Sequence, residues 1–483
     1  MGVFWDFESF ANAPALIADT GAVLTYRDLE SLSGDMEAGI REHADRDNAS
    51  GPLVMFVCRN TPGAIAGYAA LANRGYPVLP CSVELPGEMR REVMNTYRPG
   101  FLLLPKEMRG GYPTMKAVCE IRDYVLLKTN YAEFFPVHPQ LSLLITTSGS
   151  TGSAKFVRQS RENLRFNAAA IAEYLQIGAS DKTITSLPLQ YTYGLSVLHA
   201  SLLRGAAMVV TQQGVMDNEF WDLFENEGVT CFHGVPNTYE MLRHIELFEE
   251  DFPSLRTMSQ AGGKLSRELQ EYYGRYAEEN GKRFIIMYGQ SEATAAVSWL
   301  PSGDTLRKPG SVGRVIPGGS VSLVDEAGNP VTGAHRPGEL VYRGPNVAMG
   351  YAQRGEDLQL GDEWNGVLKT GDIAEFDGDQ YLSITGRLKR FIKMAGHRIS
   401  LDEIDSMIMD ELNIRSVSVG EDDHLTVFVT DDREKELVSA FVPGRISTVR
   451  AGFRVLTVPE FPRNEAGKIL YAGLQAAAQN YSV

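Results

Sequence analysis

The chain has 483 residues, 43% apolar and 22% charged, with 61 acidic against 46 basic side chains and a formal charge of −15. At ~150 residues per domain that length supports about three units of core without disulfides or structural metals. The negative balance argues against a nucleic-acid partner or an anionic membrane surface.

The opening MGVFWDFESF lacks the basic and long apolar parts of a secretion signal, and runs such as Phe101–Leu104 are too short to span a bilayer. Cys58, Cys81, Cys119 and Cys231 form no CxxC pair, which fits thiols in a reducing cytosol better than a disulfide frame or zinc site. A cytoplasmic protein without a membrane segment is expected.

From about residue 50 to 300, short apolar runs alternate with helical patterns, as in PLVMFVC before GAIAGYAALANRG and AMVVT before NEFWDLFENEG. Such alternation predicts βα units built on strands buried on both faces. Between about 305 and 385 the texture changes to short strands with Gly, Pro and Asp turns, read as an antiparallel, barrel-like part. Past 388, Ser400 with Glu403 three residues on predicts a capping box. Ile404, Met407, Ile408 and Leu412 then share one helix face, and Leu425, Val427 and Val429 alternate along a half-buried strand. The expectation is an α/β protein: a large N-terminal domain of βα layered sheets with the barrel-like part, over 1–388, and a small C-terminal α+β domain over 389–483.

The most informative segment is TTSGSTGSAK, Thr146 to Lys155, which follows the apolar run LSLLI. A buried strand thus leads into glycines and hydroxyls that can turn successive N–H groups around an anion, and the segment ends in a mobile cation. Such composition also suits a flexible surface linker. The strand just before it, with Lys155 and Arg158 just after, favours a polyphosphate cradle. The spacing is GxxGxxK and no hydroxyl follows the lysine, so the P-loop pattern of kinases and GTPases is not met.

With this loop come, in order, VLTYRDL (23–29), MYGQSEAT (287–294), GELVYRGPNVAMGY (338–351), KTGD (369–372), GRLKRFIKMAGHRIS (386–400) and PRNEAGKIL (462–470). Together they resemble the AMP-forming adenylate ligases, the family of acyl-CoA synthetases, firefly luciferase and peptide-synthetase adenylation domains. The resemblance implies ATP, Mg²⁺ and CoA, or the phosphopantetheine of a separate acyl or peptidyl carrier protein. It assigns Thr147, Ser148, Gly149, Ser150, Thr151, Gly152 and Lys155 to the phosphates. Tyr288 goes to the adenine, Gly289 to the bound nucleotide, Ser291 (in place of the usual Thr) to the α-phosphate, and Glu292 to Mg²⁺ as a hard oxygen ligand. Gly262 and Gly263 run beside adenine and acid. Asp372, read as lying in a tight turn, goes to the ribose diol, and Arg387 to the ribose or phosphate region. The plain alternatives are a turn-capping Asp and a surface salt bridge.

Lys468 is implied to neutralise the two anions that meet when a carboxylate attacks ATP; Asn464 stands where the family usually has Thr. Lys389 occupies the hinge position. Lys393 and Gly396 lie on the face that would receive the pantetheine arm, where a side chain at 396 would obstruct. The segment 187–206 is implied to wall the pocket of a small-molecule carboxylic acid. Tyr191 and Tyr193 suit an aryl or short acyl group, and Gly194 stands where amino-acid-activating members carry an Asp. An unpaired buried ammonium is costly, which disfavours an ordinary α-amino acid. His199 and His233 in neighbouring segments are read as packing residues. The chain stops about fifteen residues after Lys468 with no serine-bearing carrier module, so a separate thiol acceptor is expected. Its rivals are a stand-alone amino-acid adenylation enzyme, a non-catalytic nucleotide-binding homologue and an ADP-releasing phosphotransferase.

Overall fold

The apolar runs become the central strands of two large sheets. A computed structural model describes residues 4–43, 51–146, 155–394, 397–446, 452–464 and 467–480. Met1–Ser320 with Arg343–Leu368 form one compact unit, and Val321–Tyr342 with Lys369–Val483 another.

In the first unit, strand Val54–Cys58 is buried at every position and pairs in parallel with Val78–Ser82 and Phe101–Pro105. Leu141–Thr146 continues the parallel set, with Phe156–Ser160 and Gly350–Ala352 added antiparallel at its edge. Helix Pro62–Arg74 begins where the sequence dictates. Thr61 accepts the Ala64 N–H, and Pro62 occupies the first turn, where no amide donor is needed. The nine-stranded sheet has six parallel central strands, in the order Arg283–Tyr288, Thr257–Gln260, Cys231–Gly234, Lys182–Ile184, Ala207–Val210 and Pro14–Ala18. Helices Pro62–Arg74 and Thr192–Leu203 join strands of both sheets in one apolar cluster, as parallel strands buried on both faces require. The carboxyl ends of such strands are where open α/β sheets bind ligands.

The second unit holds a five-stranded sheet, in the order Pro330–Val331, Ser320–Val324, Gly338–Arg343, Val367–Phe376 and Leu382–Arg387. A three-stranded sheet joins Val417–Glu421, His424–Val429 and Phe453–Thr457. Ser400 Oγ accepts the Glu403 N–H at 3.2 Å and starts helix Leu401–Leu412, whose Leu401, Ile404 and Ile408 are buried.

Strand His424–Val429 departs from expectation: Thr426 and Phe428 are as buried as their neighbours. It is the central strand. Leu425, Val427 and Val429 face one apolar cluster, while Phe428 faces a second one built on Phe461 and Leu474. KTGD is likewise no tight turn. It lies inside strand Val367–Phe376, where Gly371 at φ +71° kinks the chain without ending it. Among the described residues no helix is long and apolar enough to cross a membrane.

Candidate active site

Strand Arg283–Tyr288 ends in a backbone that few sequences tolerate. Ser291–Ala293 form one 3₁₀ turn, and Thr294 and Ala295 follow at φ +54° and +112°. Positive φ in a β-branched residue and an alanine is strained, and persists only where surroundings over-determine it. Here they do. Asn346, fully buried, donates to the carbonyls of Ala293 and Ala296 at 2.7 and 2.8 Å and accepts through its own carbonyl from Thr294 Oγ1 at 2.7 Å. Asn167 receives the Ala296 N–H at 3.1 Å, and Gln159 Nε2 donates to the Ser291 carbonyl at 2.8 Å. A Cβ on Gly289 would lie 1.5 Å from the Ala295 oxygen, so the turn itself demands glycine there.

The turn aims its side chains at the loop strand. Ser291 Oγ is 2.6 Å from Thr192 Oγ1 and 3.5 Å from the carbonyl of Thr146, the last described residue before the loop. Glu292 Oε1 accepts from Tyr351 Oη at 2.9 Å, and Lys155 Nζ sits 3.4 Å over the centre of the Tyr351 ring. Tyr351 therefore separates a cation from a carboxylate and touches both, a cation–π contact on its face and a hydrogen bond at its tip. Burial, then the neighbouring Glu292, pushes the phenol up from its ordinary value, so it remains a donor. Among the described residues no group of three or more His, Cys, Asp or Glu could hold a metal. One carboxylate still fits Mg²⁺, which usually keeps waters and substrate phosphates in its shell.

Within this first unit the structure thus brings Lys155, Ser291 and Glu292 together, with Tyr288 half-buried at the strand end. Thr147, Ser148, Gly149, Ser150, Thr151 and Gly152 lie outside the described residues, as does Gly396. Arg158, counted with Lys155 in favour of a cradle, serves the fold instead: its side chain is fully buried and bonds carbonyls of the 349–361 segment. Gly262 and Gly263 follow the end of strand Thr257–Gln260, where Gln260 Nε2 donates to the Gly263 carbonyl at 2.9 Å.

Tyr191 precedes helix Thr192–Leu203, and Tyr193 in its first turn bonds Ser259 Oγ at 2.8 Å. Gly194 does not open into a pocket. A Cβ there would lie 2.4 Å from the Pro188 oxygen, so the backbone admits no side chain, carboxylate or other. Gly194→Ala is expected to lower stability by about 1–3 kcal/mol through overpacking, against a gain of ~1 kcal/mol in helix propensity. Urea unfolding midpoints measure the balance, and a midpoint at or above the parent's would show that the space exists. His199 packs as expected, with its Nε2 2.7 Å from Tyr68 Oη. His233 does not fit that description, because its Nε2 meets no hydrogen-bond partner among the described residues.

In the second unit Asp372 and Arg387 face each other across antiparallel strands, with Arg387 Nε 2.8 Å from Asp372 Oδ1. Asp372 is 3% exposed and Arg387 63%, so a largely exposed guanidinium covers a buried acid. Lys389 is exposed in a short 3₁₀ turn, Leu388–Arg390. Arg390 next to it is clasped. Its Nε meets Asp402 Oδ1 at 2.5 Å, its other end meets Asp405 Oδ2 at 3.0 Å, and its guanidinium lies 3.9 Å over Tyr471. Asp402 also accepts the Arg387 N–H at 3.1 Å, so one carboxylate ties residues on both sides of Lys389. Lys393 is exposed on strand Phe391–Met394, with its N–H on Asp422. Lys468 is half-buried on a turn that Asn464 builds: the Asn464 side chain accepts the Lys468 N–H at 3.0 Å, and its own N–H reaches the Lys468 carbonyl at 2.9 Å.

Sequence reasoning assigned no role to Asn346, Tyr351, Gln159 or Thr192. Asn346 and Tyr351 lie within GPNVAMGY, so the signal was present as a motif without a mechanism.

A family model described as AMP-binding enzyme matches residues 3–352. Oxalate–CoA ligase of Arabidopsis thaliana is 29% identical over 68% of this chain and 66% of its own length. Indoleacetate–CoA ligase of Aromatoleum aromaticum is 28% identical over 86% of each, and 4-coumarate–CoA ligase of Humulus lupulus is 25% identical over 98% of this chain and 92% of its own. Among solved structures, ATP-bound MatB from Rhodopseudomonas palustris superposes with a TM-score of 0.81 at 20% identity, covering 99% of both chains. The o-succinylbenzoate CoA synthetase of Bacillus subtilis with its acyl-adenylate gives 0.75 at 22%, covering 96% of this chain and 95% of that one. At these identities the structural likeness speaks for the fold alone.

Proposed function

The chain belongs to the AMP-binding enzyme family, and from that premise we propose that it is an AMP-forming acid–thiol ligase. A carboxylate oxygen attacks the α-phosphorus of ATP, giving an acyl-adenylate and releasing pyrophosphate. A pantetheine thiol then attacks the acyl carbon, and AMP leaves. The observation that carries this reading is the contact chain Lys155–Tyr351–Glu292 beside Ser291. It offers a cation, a fixed phenol donor, a hard carboxylate and a hydroxyl at one strand end.

In this reading the 147–155 loop and Lys155 hold the phosphates, Ser291 donates to the α-phosphate, and Glu292 contributes one oxygen to Mg²⁺. Gly262 and Gly263 run beside the nucleotide, Gly289 permits the turn that carries Ser291 and Glu292, and Tyr288 offers its face to adenine. Asp372 accepts from the ribose hydroxyls, with Arg387 at its flank. Lys468 cancels repulsion between the reacting anions. Residues 389–483 then turn about Lys389 against 1–388 to bring Lys393 and Gly396 to the thiol path. Asp402 bonds residues on both sides of Lys389, so a turn about it has to release the Arg387 N–H or the Arg390 guanidinium, while only φ and ψ of a short segment need change. CoA is the favoured thiol because the relatives bear CoA-ligase names. The backbone contact at Gly194 speaks against an α-amino acid held by a carboxylate at that position.

Exchange of labelled pyrophosphate into ATP, run across fatty, aryl, hydroxy and amino acids, tests the first half-reaction. Acid- and Mg²⁺-dependent exchange is expected, with AMP as the nucleotide product once CoA is added. ADP in its place would show phosphotransfer and overturn the proposal.

A further inference from the structure

The next inference rests on the ligase reading and adds the chemical class of the acid. Strands Cys231–Gly234 and Thr257–Gln260 run parallel with His233 opposite Ser259. His233 Nδ1 lies 2.6 Å from Ser259 Oγ, and Tyr193 Oη lies 2.8 Å from the same oxygen. The Ser259 carbonyl lies within reach of both phenols, 3.2 Å from Tyr193 and 2.8 Å from Tyr239. With the phenol proton on the nearer Oγ, Ser259 passes its own hydroxyl proton to His233 Nδ1. Burial drives the imidazole down to about 3, so the ring is neutral, and in this direction its single proton sits on Nε2. That N–H belongs to a side chain 1% exposed and finds no acceptor among the described residues. Buried donors are seldom left so.

The relay adjoins the candidate nucleotide site. Tyr193 is the neighbour of Thr192, whose hydroxyl touches Ser291. An acyl chain anchored at the α-phosphate beside Ser291 and running along this helix start would pass Tyr193 and meet His233. We propose that His233 Nε2 is the specificity-determining donor of the acid pocket and that the acid bears an uncharged oxygen acceptor, a hydroxyl, keto or ether oxygen, remote from its reacting carboxylate. Ser259 and Tyr193 are positioning residues that fix the tautomer. A second carboxylate is disfavoured, because a neutral imidazole cannot balance a buried charge.

Pyrophosphate exchange with matched acids tests the proposal: butanoate, hexanoate, benzoate and phenylacetate, each beside its mono-hydroxy, mono-methoxy and oxo derivatives. One oxygenated acid is expected to exceed its parent by ~10²-fold or more in kcat/KM, the discrimination a site built around a hydrogen bond achieves. In His233→Phe that ratio is expected to collapse toward one, through a raised KM for the oxygenated acid, with KM for ATP unchanged. Tyr193→Phe, which removes a hydroxyl and no packing volume, is expected to lower the ratio at least several-fold and keeps the test usable if His233→Phe does not fold. Active wild-type protein with ratios near one throughout, as a buried water on Nε2 would give, overturns the inference and leaves the ligase reading standing. An unchanged ratio in either folded variant also overturns it. No exchange with any acid overturns the ligase reading and this inference with it.

Discussion

Lys468→Ala is expected to reduce acid-dependent pyrophosphate exchange by ~10²-fold or more while leaving thiolation of supplied acyl-adenylate largely intact. Two unit charges ~4 Å apart at an effective dielectric of ~20 interact by about 4 kcal/mol, so one ammonium between a carboxylate and a polyphosphate is worth orders of magnitude in rate. The fold gives this variant a clean interpretation. The turn around Lys468 is held through its backbone N–H and carbonyl to Asn464, and by Arg463 on the Gly467 carbonyl at 2.8 Å. Truncating the side chain touches none of these bonds. Lys468→Arg, which keeps the charge, is expected to recover part of the lost rate. Equal loss in both half-reactions would defeat the idea that Lys468 serves adenylation alone.

How far the sequence could be read depended on whether a signal was local. The helix beginning at Thr61 and Pro62 follows from the residues alone, because caps and backbone restrictions act within a few positions. The start at Ser400 is legible for the same reason. The burial of Thr426 and Phe428 is not legible, because alternation cannot reveal that a second apolar cluster covers the other face. KTGD looks like a turn because Gly and Asp are turn residues, yet the strand runs through it; pairing with 382–387 decided the outcome. At the site, Lys155, Ser291 and Glu292 carry chemistry in their own side chains. Asn346 acts only by holding a strained turn contributed from some fifty positions away in the chain, a dependence no local pattern records. Arg158 shows the converse error, since a basic residue just after a phosphate-binding pattern turns out to be buried structure.

Arg158→Met is expected to destabilise the protein by about 3–5 kcal/mol, the loss typical when one partner of a buried charged network is removed. The guanidinium has no exposed surface and donates to the carbonyls of Tyr351, Gly361 and Met349 at 3.0, 3.1 and 3.3 Å, to that of Leu360, and to the carboxylate of Glu363. Methionine fills much of the volume and satisfies none of the carbonyls, each of which then keeps its desolvation cost without a donor. Glu363→Gln keeps an oxygen that can accept from the guanidinium, so it is expected to cost about 1–3 kcal/mol, less than Arg158→Met. The contrast separates a carbonyl clamp from an ion pair, and urea unfolding of both variants and the double mutant measures it. Equal losses in the two single variants would place the energy in the pair and refute the clamp. The clamp also reaches the candidate site, because the strand it secures carries Tyr351, which touches Lys155 and Glu292. Arg158→Met protein that remains folded at low temperature should therefore show a raised KM for MgATP, whereas Glu363→Gln should not. An unchanged KM in Arg158→Met would mean that Tyr351 holds its place without the arginine.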